Sequence, residues 1–368
     1  MAQKAEHIPP KLQKLETIID CDFHVTERQE DFLPYLPEPW SKVFSRSKGD
    51  DYGFLSGLYP SGGLINPITT GKVQSDSVRS TAEAREGMGL IHSDKAIATP
   101  TLNLYLGCVR NEELAAALAH GYNEWILNDI LAPDEGIYGA AVVAPQKPDK
   151  AAEEIDDRAA EDAIAAIFFP SGGISPLAGA DKYHPIYEAA EDNDLPVMMH
   201  YASGNMMMAF PKAFQHLTKF LSAHTVAHPM MHMCNMVDMI TRGIPVRFPD
   251  LDFIIQESGI GYIPYFMRRF DHEYHSKQED APMLEKEPSE YIRDNFYFTS
   301  QPIEGTADPE YVDSMVRLMG GESNLMFSSD YPHLDFDYTD EMMKLLPSFD
   351  NDELNNIYGR TALEVFDF

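Results

Sequence analysis

The sequence contains few cysteines and no long apolar run, and both shortages exclude classes of protein. Its three cysteines, Cys21, Cys108 and Cys234, are far apart and odd in number, which argues against a disulfide-stapled scaffold. No stretch of about 18 apolar residues occurs, so we expect no membrane-spanning helix. The polar start of the chain, MAQKAEHIPPKLQKLE, does not resemble a signal peptide. We therefore expect a cytoplasmic protein from a reducing compartment.

Basic residues are also scarce. Lysine and arginine together number 28, against 59 aspartate and glutamate residues, and the formal net charge is −31 at pH 7. A surface of this charge repels nucleic acid and anionic membranes, so we expect neither as a partner. The acidic residues are dispersed along the chain rather than gathered in one tail. We interpret them as a halophilic adaptation of the surface, which carries no information about the reaction.

Apolar runs alternate with helical patterns along most of the chain. The length of 368 residues suits two domains or one large α/β barrel, and the hydrophobic content of 44% is sufficient for a large core. About eight predicted strands, most followed by helices, are typical of a (β/α)8 TIM barrel. A doubly wound sheet would also alternate, but neither a GxGxxG motif nor a P-loop is present. We predict a single-domain α/β TIM barrel.

Two segments of this pattern carry more specific predictions. Residues 26–80 are rich in proline, glycine and serine, which predicts a loop-rich insertion after the first strand, over the mouth of a pocket. Ser80 is predicted to cap the helix that follows. Two helical stretches are predicted across residues 211–243. The predicted strands contain TIIDCDFHV, KAIATP, IYGAAVV, AIAAIFFP, LPVMMH, LDFIIQES, NFYFTS and NLMFSSD.

Polar side chains stand at the ends of several predicted strands, where TIM barrels carry their catalytic groups. Asp22 and His24 end the first strand and share one face, because residues two apart in a strand point the same way. Other predicted strands end at His200, Glu257 and Asp330. Singly, such residues are usually hydrogen-bonded rim residues or turn caps. Together, carboxylates grouped in a concave site repel one another and lose solvation, so a cation is expected between them.

The order of these motifs resembles the amidohydrolase-related family. The motifs are IDCDFHVTE, LPVMMH, GIPVRFPDLDFIIQESGIGYIPYFMRRFD and MFSSDYPH, and the resemblance runs from about residue 17 to the C-terminus. That family includes aminocarboxymuconate semialdehyde decarboxylase and the γ-resorcylate and 5-carboxyvanillate decarboxylases. The resemblance implies one divalent metal ion bound by Asp22, His24, His200 and Asp330. Two carboxylates and two imidazoles suit Zn²⁺, which we favour, or Mn²⁺.

The sequence departs from the family pattern at two strands. The sixth strand of the best-known decarboxylases ends in a histidine followed by glycines, whereas this chain has Glu257 in QESGIGYIP. The fourth strand, AIAAIFFP, offers no lysine at its end, so we expect a single metal without a carbamylated-lysine bridge.

By resemblance, Arg269 holds a substrate carboxylate. A surface ion pair of Arg269 with a nearby acid is an equally good interpretation.

Four residues are candidates for roles in the chemistry. Glu257 and Asp330 are candidate general acids or bases, and Glu257 could instead orient a metal-bound histidine. His228 and His333 are placed in loops after the fifth and eighth strands, as candidates for proton transfer and, for His333, substrate binding. The alternative for both is a hydrogen-bonded loop histidine.

Three functions remain open on the sequence. We favour a mononuclear metal-dependent decarboxylase of a small aromatic or unsaturated carboxylic acid, working as a homodimer. The alternatives are a metal-dependent hydrolase of a C–N, C–O or C–C bond and a non-catalytic metal- or ligand-binding barrel. Residues 198–239 are rich in methionine and histidine, a pattern that could bind Cu(I) but more often forms an apolar pocket wall suited to a flat substrate.

The acidic composition generates a prediction about salt. Raising KCl from about 0.1 M to 1 M shortens the Debye length from about 10 Å to 3 Å, so repulsion between surface carboxylates decreases. We expect the unfolding temperature to rise by several degrees over that range. Thermal unfolding followed by circular dichroism measures it, and an unfolding temperature indifferent to molar KCl contradicts the halophilic interpretation.

Overall fold

Eight parallel strands form one barrel sheet in sequence order, β1 to β8. The computed structural model describes residues 12–46, 77–202, 216–304, 308–333 and 335–368. Helices connect the strands, which confirms the predicted single-domain (β/α)8 barrel. The strands are β1 (Ile19–Val25), β2 (Lys95–Pro100), β3 (Ile137–Val142), β4 (Ile164–Pro170), β5 (Val197–His200), β6 (Phe253–Ile255), β7 (Phe296–Thr299) and β8 (Leu325–Met326).

The helices lie outside the sheet and cover it, which is why the strands read as continuous apolar runs rather than alternating ones. β1 and β4 are buried at every residue. Within the described ranges no helix is both long enough and apolar enough to cross a bilayer. The helices are Gln29–Phe32, Trp40–Arg46, Thr81–Ile91, Glu112–Asp129, Pro148–Arg158, His184–Asp192, Phe220–Thr241, Ile244–Arg247, Ile263–Lys277, Pro288–Asn295, Pro309–Met319, Gly321–Asn324, Thr339–Lys344, Asn351–Asn355 and Thr361–Val365.

Two helix predictions, the cap at Ser80 and the helical stretches between β5 and β6, can be compared with the structure. The side chain of Ser80 accepts a hydrogen bond from the Glu83 amide, which confirms the predicted N-cap. Two helical stretches were predicted across residues 211–243, of which residues 211–215 lie outside the described ones; the structure has the helix Phe220–Thr241 there, followed by the short helix Ile244–Arg247. Pro229 lies inside the helix Phe220–Thr241, and the buried residues of the helix stand on both sides of the proline.

The predicted insertion is described only at its two ends. Residues 47–76 lie outside the described residues, so its expected position over a pocket is not tested. The described start packs on the outer helix Glu112–Asp129, where the Tyr35 hydroxyl donates a hydrogen bond to Asp129 at 2.9 Å. Gly121 of that helix permits the approach, because a Cβ there would lie 2.7 Å from a methyl carbon of Leu36.

The barrel closes between β1 and the segment that follows β8. The Asp330 amide donates to the carbonyl of Asp22 at 2.9 Å. The fully buried carboxylate of Asp20 accepts hydrogen bonds from the Ser329 amide at 2.9 Å and from the Ser329 hydroxyl at 2.5 Å. Burial raises the pKa of Asp20 to about 7 although these donors favour the charged form. This closure places Asp22 and Asp330 side by side.

Removing the Asp20 carboxylate should weaken the closure. Asp20→Ala leaves two buried donors of Ser329 without their acceptor, which costs about 1–3 kcal/mol for each unsatisfied group. We expect the free energy of unfolding to fall by about 2–4 kcal/mol in urea titrations. The exposed Asp156, which contacts Asn193 at the surface, supplies the control Asp156→Ala. Equal stability losses in the two variants would contradict this account of the closure.

Candidate metal centre

The four residues predicted to bind metal lie together at the carboxyl ends of the strands. Asp22 and His24 leave β1 on one face, His200 is the last residue of β5, and Asp330 follows β8. All four are completely buried. His24 Nε2 lies 3.4 Å from Asp22 Oδ1 and 3.2 Å from Asp330 Oδ1. His200 Nε2 lies 3.4 Å from Asp22 Oδ2.

One atom of each side chain in this group has no hydrogen-bond partner among the residues that the structure describes. These atoms are Asp22 Oδ2, His24 Nε2, His200 Nε2 and Asp330 Oδ2. Buried polar atoms are nearly always hydrogen-bonded, so four such atoms on neighbouring side chains need an explanation. Ligands bound at about 2.0–2.1 Å in a tetrahedron stand about 3.3 Å apart, close to the distances between these side chains. The donor set and its spacing fit a divalent cation.

Backbone carbonyls orient both imidazoles toward the centre of this group. His24 Nδ1 lies 2.8 Å from the Pro100 carbonyl oxygen, and His200 Nδ1 lies 3.2 Å from the carbonyl oxygen of Tyr201. Donation from Nδ1–H leaves the Nε2 lone pair free for a metal. Burial lowers the pKa of His24 well below its ordinary value, which keeps that ring neutral. Burial also acts to lower the pKa of His200, but the neighbouring carboxylates prevail and raise it.

Asp22 is held by donors from two other strand ends. Its Oδ1 accepts hydrogen bonds from the Thr99 hydroxyl at 3.0 Å and from Gln256 Nε2 at 2.9 Å. Thr99 belongs to β2, and Gln256 follows β6 directly. These bonds leave Oδ2 directed at His200, so Asp22 is presented as a ligand through one oxygen.

Asp330 and His333 form a pair at the edge of this group. Asp330 Oδ1 lies 2.8 Å from His333 Nδ1, and His333 Nε2 lies 3.2 Å from the Thr101 hydroxyl. Burial acts to lower the pKa of His333, but the Asp330 carboxylate prevails and raises it to about 10. Burial raises the pKa of Asp330, although the neighbouring His333 acts to lower it. His333 is therefore a cation whose ring stands 4.0 Å from that of His24.

Glu257 lies beside the ligand group, just beyond the end of β6 rather than within that strand. Its φ of 47° is in the left-handed region, and its amide donates to the Thr299 hydroxyl at 3.1 Å. Oε2 lies 3.6 Å from His200 Nε2, and Oε1 lies 3.1 Å from His228 Nδ1. Burial would raise the pKa of Glu257, but the surrounding imidazoles prevail and lower it well below its ordinary value. Glu257 is therefore a buried carboxylate ringed by histidines.

His228 is in a helix, and the prediction that it lies in a loop is wrong. It belongs to the long helix Phe220–Thr241, whose buried face turns it toward Glu257. His224, one turn earlier, was missed by the sequence analysis, and its Nε2 lies 3.7 Å from Glu257 Oε1. The signal available in the sequence was the spacing of four between the two histidines, which places both on one face of a helix.

The structure does not bring Arg269 into this group. Its side chain is 53% exposed on the outer helix Ile263–Lys277, where it pairs with Glu273 one turn later at 2.6 Å. The surface ion pair is the interpretation that the geometry supports. The family-based assignment of Arg269 to substrate binding stays a prediction, because sequence position does not reveal which face of the helix meets solvent.

The methionine-rich segment is described in part. Met198 and Met199 are buried in β5, and Met231, Met236 and Met239 are buried along the long helix. They pack as core and wall residues. Residues 206–208, which are also methionines, lie outside the described residues.

Comparisons with known proteins agree with this geometry. The family model described as amidohydrolase matches residues 19–368. A comparison with curated proteins finds no match. An amidohydrolase from Mycobacterium avium subsp. paratuberculosis K-10 superposes with a TM-score of 0.73 at 19% identity, covering 95% of this chain and 99% of that one.

Two decarboxylases share the fold. The 5-carboxyvanillate decarboxylase of Sphingomonas paucimobilis has a TM-score of 0.71 at 22% identity, covering 96% of this chain and 99% of that one. The enzyme of that name from Novosphingobium aromaticivorans, solved with manganese and 4-hydroxy-3-methoxy-5-nitrobenzoic acid, has a TM-score of 0.70 at 18% identity over 97% of both chains. Because the family model spans the barrel from β1 to the last helix, this chain belongs to the amidohydrolase family.

Proposed function

We propose that this protein is a metal-dependent decarboxylase of a small aromatic carboxylic acid. The observation that carries the proposal is the set of four buried, unpartnered ligand atoms at the carboxyl end of the barrel, with a carboxylate and further histidines beside it. Similar folds belong to the 5-carboxyvanillate decarboxylases and to 2,6-dihydroxybenzoate decarboxylase, the latter solved with 2,6-dihydroxybenzoate. The arrangement of these side chains supports the proposal more strongly than the similarity to distant relatives does.

Asp22, His24, His200 and Asp330 would hold the metal ion, with Zn²⁺ favoured and Mn²⁺ the alternative. A bound divalent ion acts as a Lewis acid that polarises substrate oxygens and offsets their negative charge. The Pro100 carbonyl and the donors to Asp22 hold the ligands in place without taking part in the reaction.

His333 is suited to hold the carboxylate of the substrate. Its pKa of about 10 makes it a cation at neutral pH, and its side chain is 25% exposed beside the ligand group. A cation matters here because the chain as a whole carries a net charge of −31 and repels anions. The Asp330 carboxylate holds the ring in position while leaving its edge accessible.

Decarboxylation requires a proton to reach the carbon that loses CO₂. We assign this proton to the Glu257–His228 pair, in which Glu257 Oε1 and His228 Nδ1 are 3.1 Å apart. The surrounding imidazoles hold the pKa of Glu257 low, so its carboxylate is charged at rest, and it would take up a proton and pass it to the ring carbon. The C–C bond to the carboxylate then breaks, CO₂ leaves, and its bonding electrons restore the aromatic ring.

Hydrolysis on the same site is the second candidate. It is favoured by Asp330, whose raised pKa and unpartnered Oδ2 suit a group that accepts a proton from water.

Decarboxylation and hydrolysis differ in product. A panel of hydroxylated aromatic acids, assayed for CO₂ and for loss of the parent acid, identifies the decarboxylase. Turnover of an amide or ester without CO₂ identifies the hydrolase.

Removing the metal or a ligand should abolish turnover. We expect chelation to eliminate CO₂ release and Mn²⁺ or Zn²⁺ to restore it. His200→Ala should lower kcat by about 100-fold or more even with excess metal, because effects of that size follow loss of a single electrostatic contact to the transition state. Elemental analysis of the purified protein gives the metal content. Full CO₂ release from metal-free protein would refute the proposal.

Neutralising Glu257 tests the proton pathway. Glu257→Gln keeps the shape of the side chain but cannot carry the proton, and general acid–base catalysis contributes about 10²–10⁴-fold. We expect kcat for CO₂ release to fall within that range while KM changes little. Glu273→Gln, on the outer helix beside Arg269, is the control and should behave as wild type. Unchanged kcat in Glu257→Gln would remove Glu257 from the reaction.

A further inference from the structure

We infer that Glu27 is a positioning residue, which orients the metal ligand His24 through the peptide group that precedes Thr101. The inference deepens the proposed function, since it takes His24 as a ligand of the metal ion. Glu27 lies shortly after the end of β1 and is only 5% exposed. Its Oε2 accepts a hydrogen bond from the Thr101 amide at 3.0 Å. At the other end of the same peptide group, the Pro100 carbonyl oxygen lies 2.8 Å from His24 Nδ1.

One rigid peptide group therefore connects the carboxylate to the imidazole. The bond between Pro100 and Thr101 is trans, so the group is planar and its N–H and C=O point in opposite directions. A carboxylate at the N–H end polarises the group and makes its carbonyl oxygen a stronger acceptor, because hydrogen bonds in a chain strengthen one another. That carbonyl holds the proton of His24 on Nδ1 and leaves the Nε2 lone pair free for the metal. Metal-bound histidines commonly donate their other N–H to a carboxylate or to a backbone carbonyl, and here both act in series.

The carboxyl group of Glu27 is surrounded by N–H donors. Its Oε1 accepts hydrogen bonds from the amides of Leu102 and Asn103, both at 2.8 Å, and from Asn103 Nδ2 at 3.2 Å. Burial raises the pKa of Glu27, and these donors oppose the rise because they favour the charged form. Since both oxygens accept hydrogen bonds from N–H groups, the contacts are those of a carboxylate.

Capping of the short 3-10 helix Asn103–Cys108 is the competing role of Glu27. Amides at the start of this helix have no partner within it, and Oε1 accepts from them. Capping does not account for Oε2, because Thr101 precedes the helix and its amide belongs to the peptide group that contacts His24. The two oxygens thus have separate partners, and a substitution can separate the two roles.

Thr101 extends the effect of this contact to a second imidazole. Its hydroxyl lies 3.2 Å from Nε2 of His333, the residue proposed to hold the substrate carboxylate. Glu27 therefore fixes a backbone segment that contacts both a metal ligand and the cation beside it. Loss of the contact at Oε2 should weaken metal binding and raise KM.

Metal affinity of Glu27→Gln tests the inference. The amide oxygen of glutamine can replace Oε1 as the acceptor for the helix, which leaves its NH₂ group against the N–H of Thr101, donor against donor. We expect the affinity for Zn²⁺, measured by competition with a chromogenic chelator, to fall about 10- to 100-fold, because losses of that size follow removal of a partner that orients a metal ligand. Circular dichroism checks that the variant is folded.

Asp271→Asn is the matched control. Asp271 is 6% exposed and accepts a hydrogen bond from the Ser289 amide at 2.9 Å, between two outer helices away from the ligand group. A purely structural role of a buried carboxylate predicts a loss of stability in both variants and a loss of zinc affinity in neither. We expect Asp271→Asn to bind zinc as the wild type does.

The tautomer of His24 is tested on metal-free wild-type protein, so this result does not depend on the folding of Glu27→Gln. Nitrogen-15 NMR of the imidazoles, with the His24 signal assigned by its absence from His24→Gln, should show a neutral ring protonated at Nδ1. Protonation at Nε2 would overturn the inference, as would unchanged zinc affinity in Glu27→Gln or an equal fall in the control. None of these results touches the proposed decarboxylation, whereas wild-type protein that binds neither Zn²⁺ nor Mn²⁺ would overturn both.

Discussion

The constraint on which the rest of the site depends is the negative charge gathered at the mouth of the barrel, which a cation would neutralise. Two completely buried carboxylates, Asp22 and Asp330, approach the same imidazole nitrogen of His24 within 3.4 Å and 3.2 Å. Buried groups of like charge repel strongly in a low-dielectric interior, and an unpaired buried charge is costly. Protons on the imidazoles offset part of this charge, but the low pKa of His24 prevents its ring from doing so. A divalent ion held by these four side chains would satisfy their unpartnered atoms.

This arrangement constrains the scaffold far from the ligands themselves. Asp20 closes the barrel through Ser329, and that closure sets Asp330 against Asp22. Side chains of β2 and of the segment after β6 then fix which oxygen of Asp22 faces the centre. The site is therefore assembled from rigid strand ends and their hydrogen bonds. Rigid placement suits catalysis, because misplacing a reacting group by about 1 Å can cost about 100-fold in rate.

The sequence predicted the barrel from its periodicity, and it indicated that the polar residues at several strand ends lie close together. Alternation of strands and helices defines the fold, and the carboxyl ends of parallel strands meet at one face, so Asp22, His24, His200 and Asp330 could be placed together. The same reasoning failed for residues on helices. Which face of a helix meets the barrel is decided by packing, so the sequence left open whether Arg269 binds substrate or forms a surface ion pair, and His224 was not chosen as a site residue. The bond between His333 and Thr101 joins residues 232 positions apart and had no signal in the sequence.

The acidic composition and the chemistry of the site place opposite demands on the molecule. A net charge of −31 opposes the approach of any carboxylate substrate. Within the described residues, Arg269 pairs at the surface, and the positive charge beside the ligand group comes from imidazoles, above all His333. The charge of each histidine depends on the neighbouring carboxylates, and a bound metal ion would offset the charge of those carboxylates. On the proposed function, metal binding, substrate affinity and the supply of protons are linked through one group of side chains, so that a change in any of them would alter the other two.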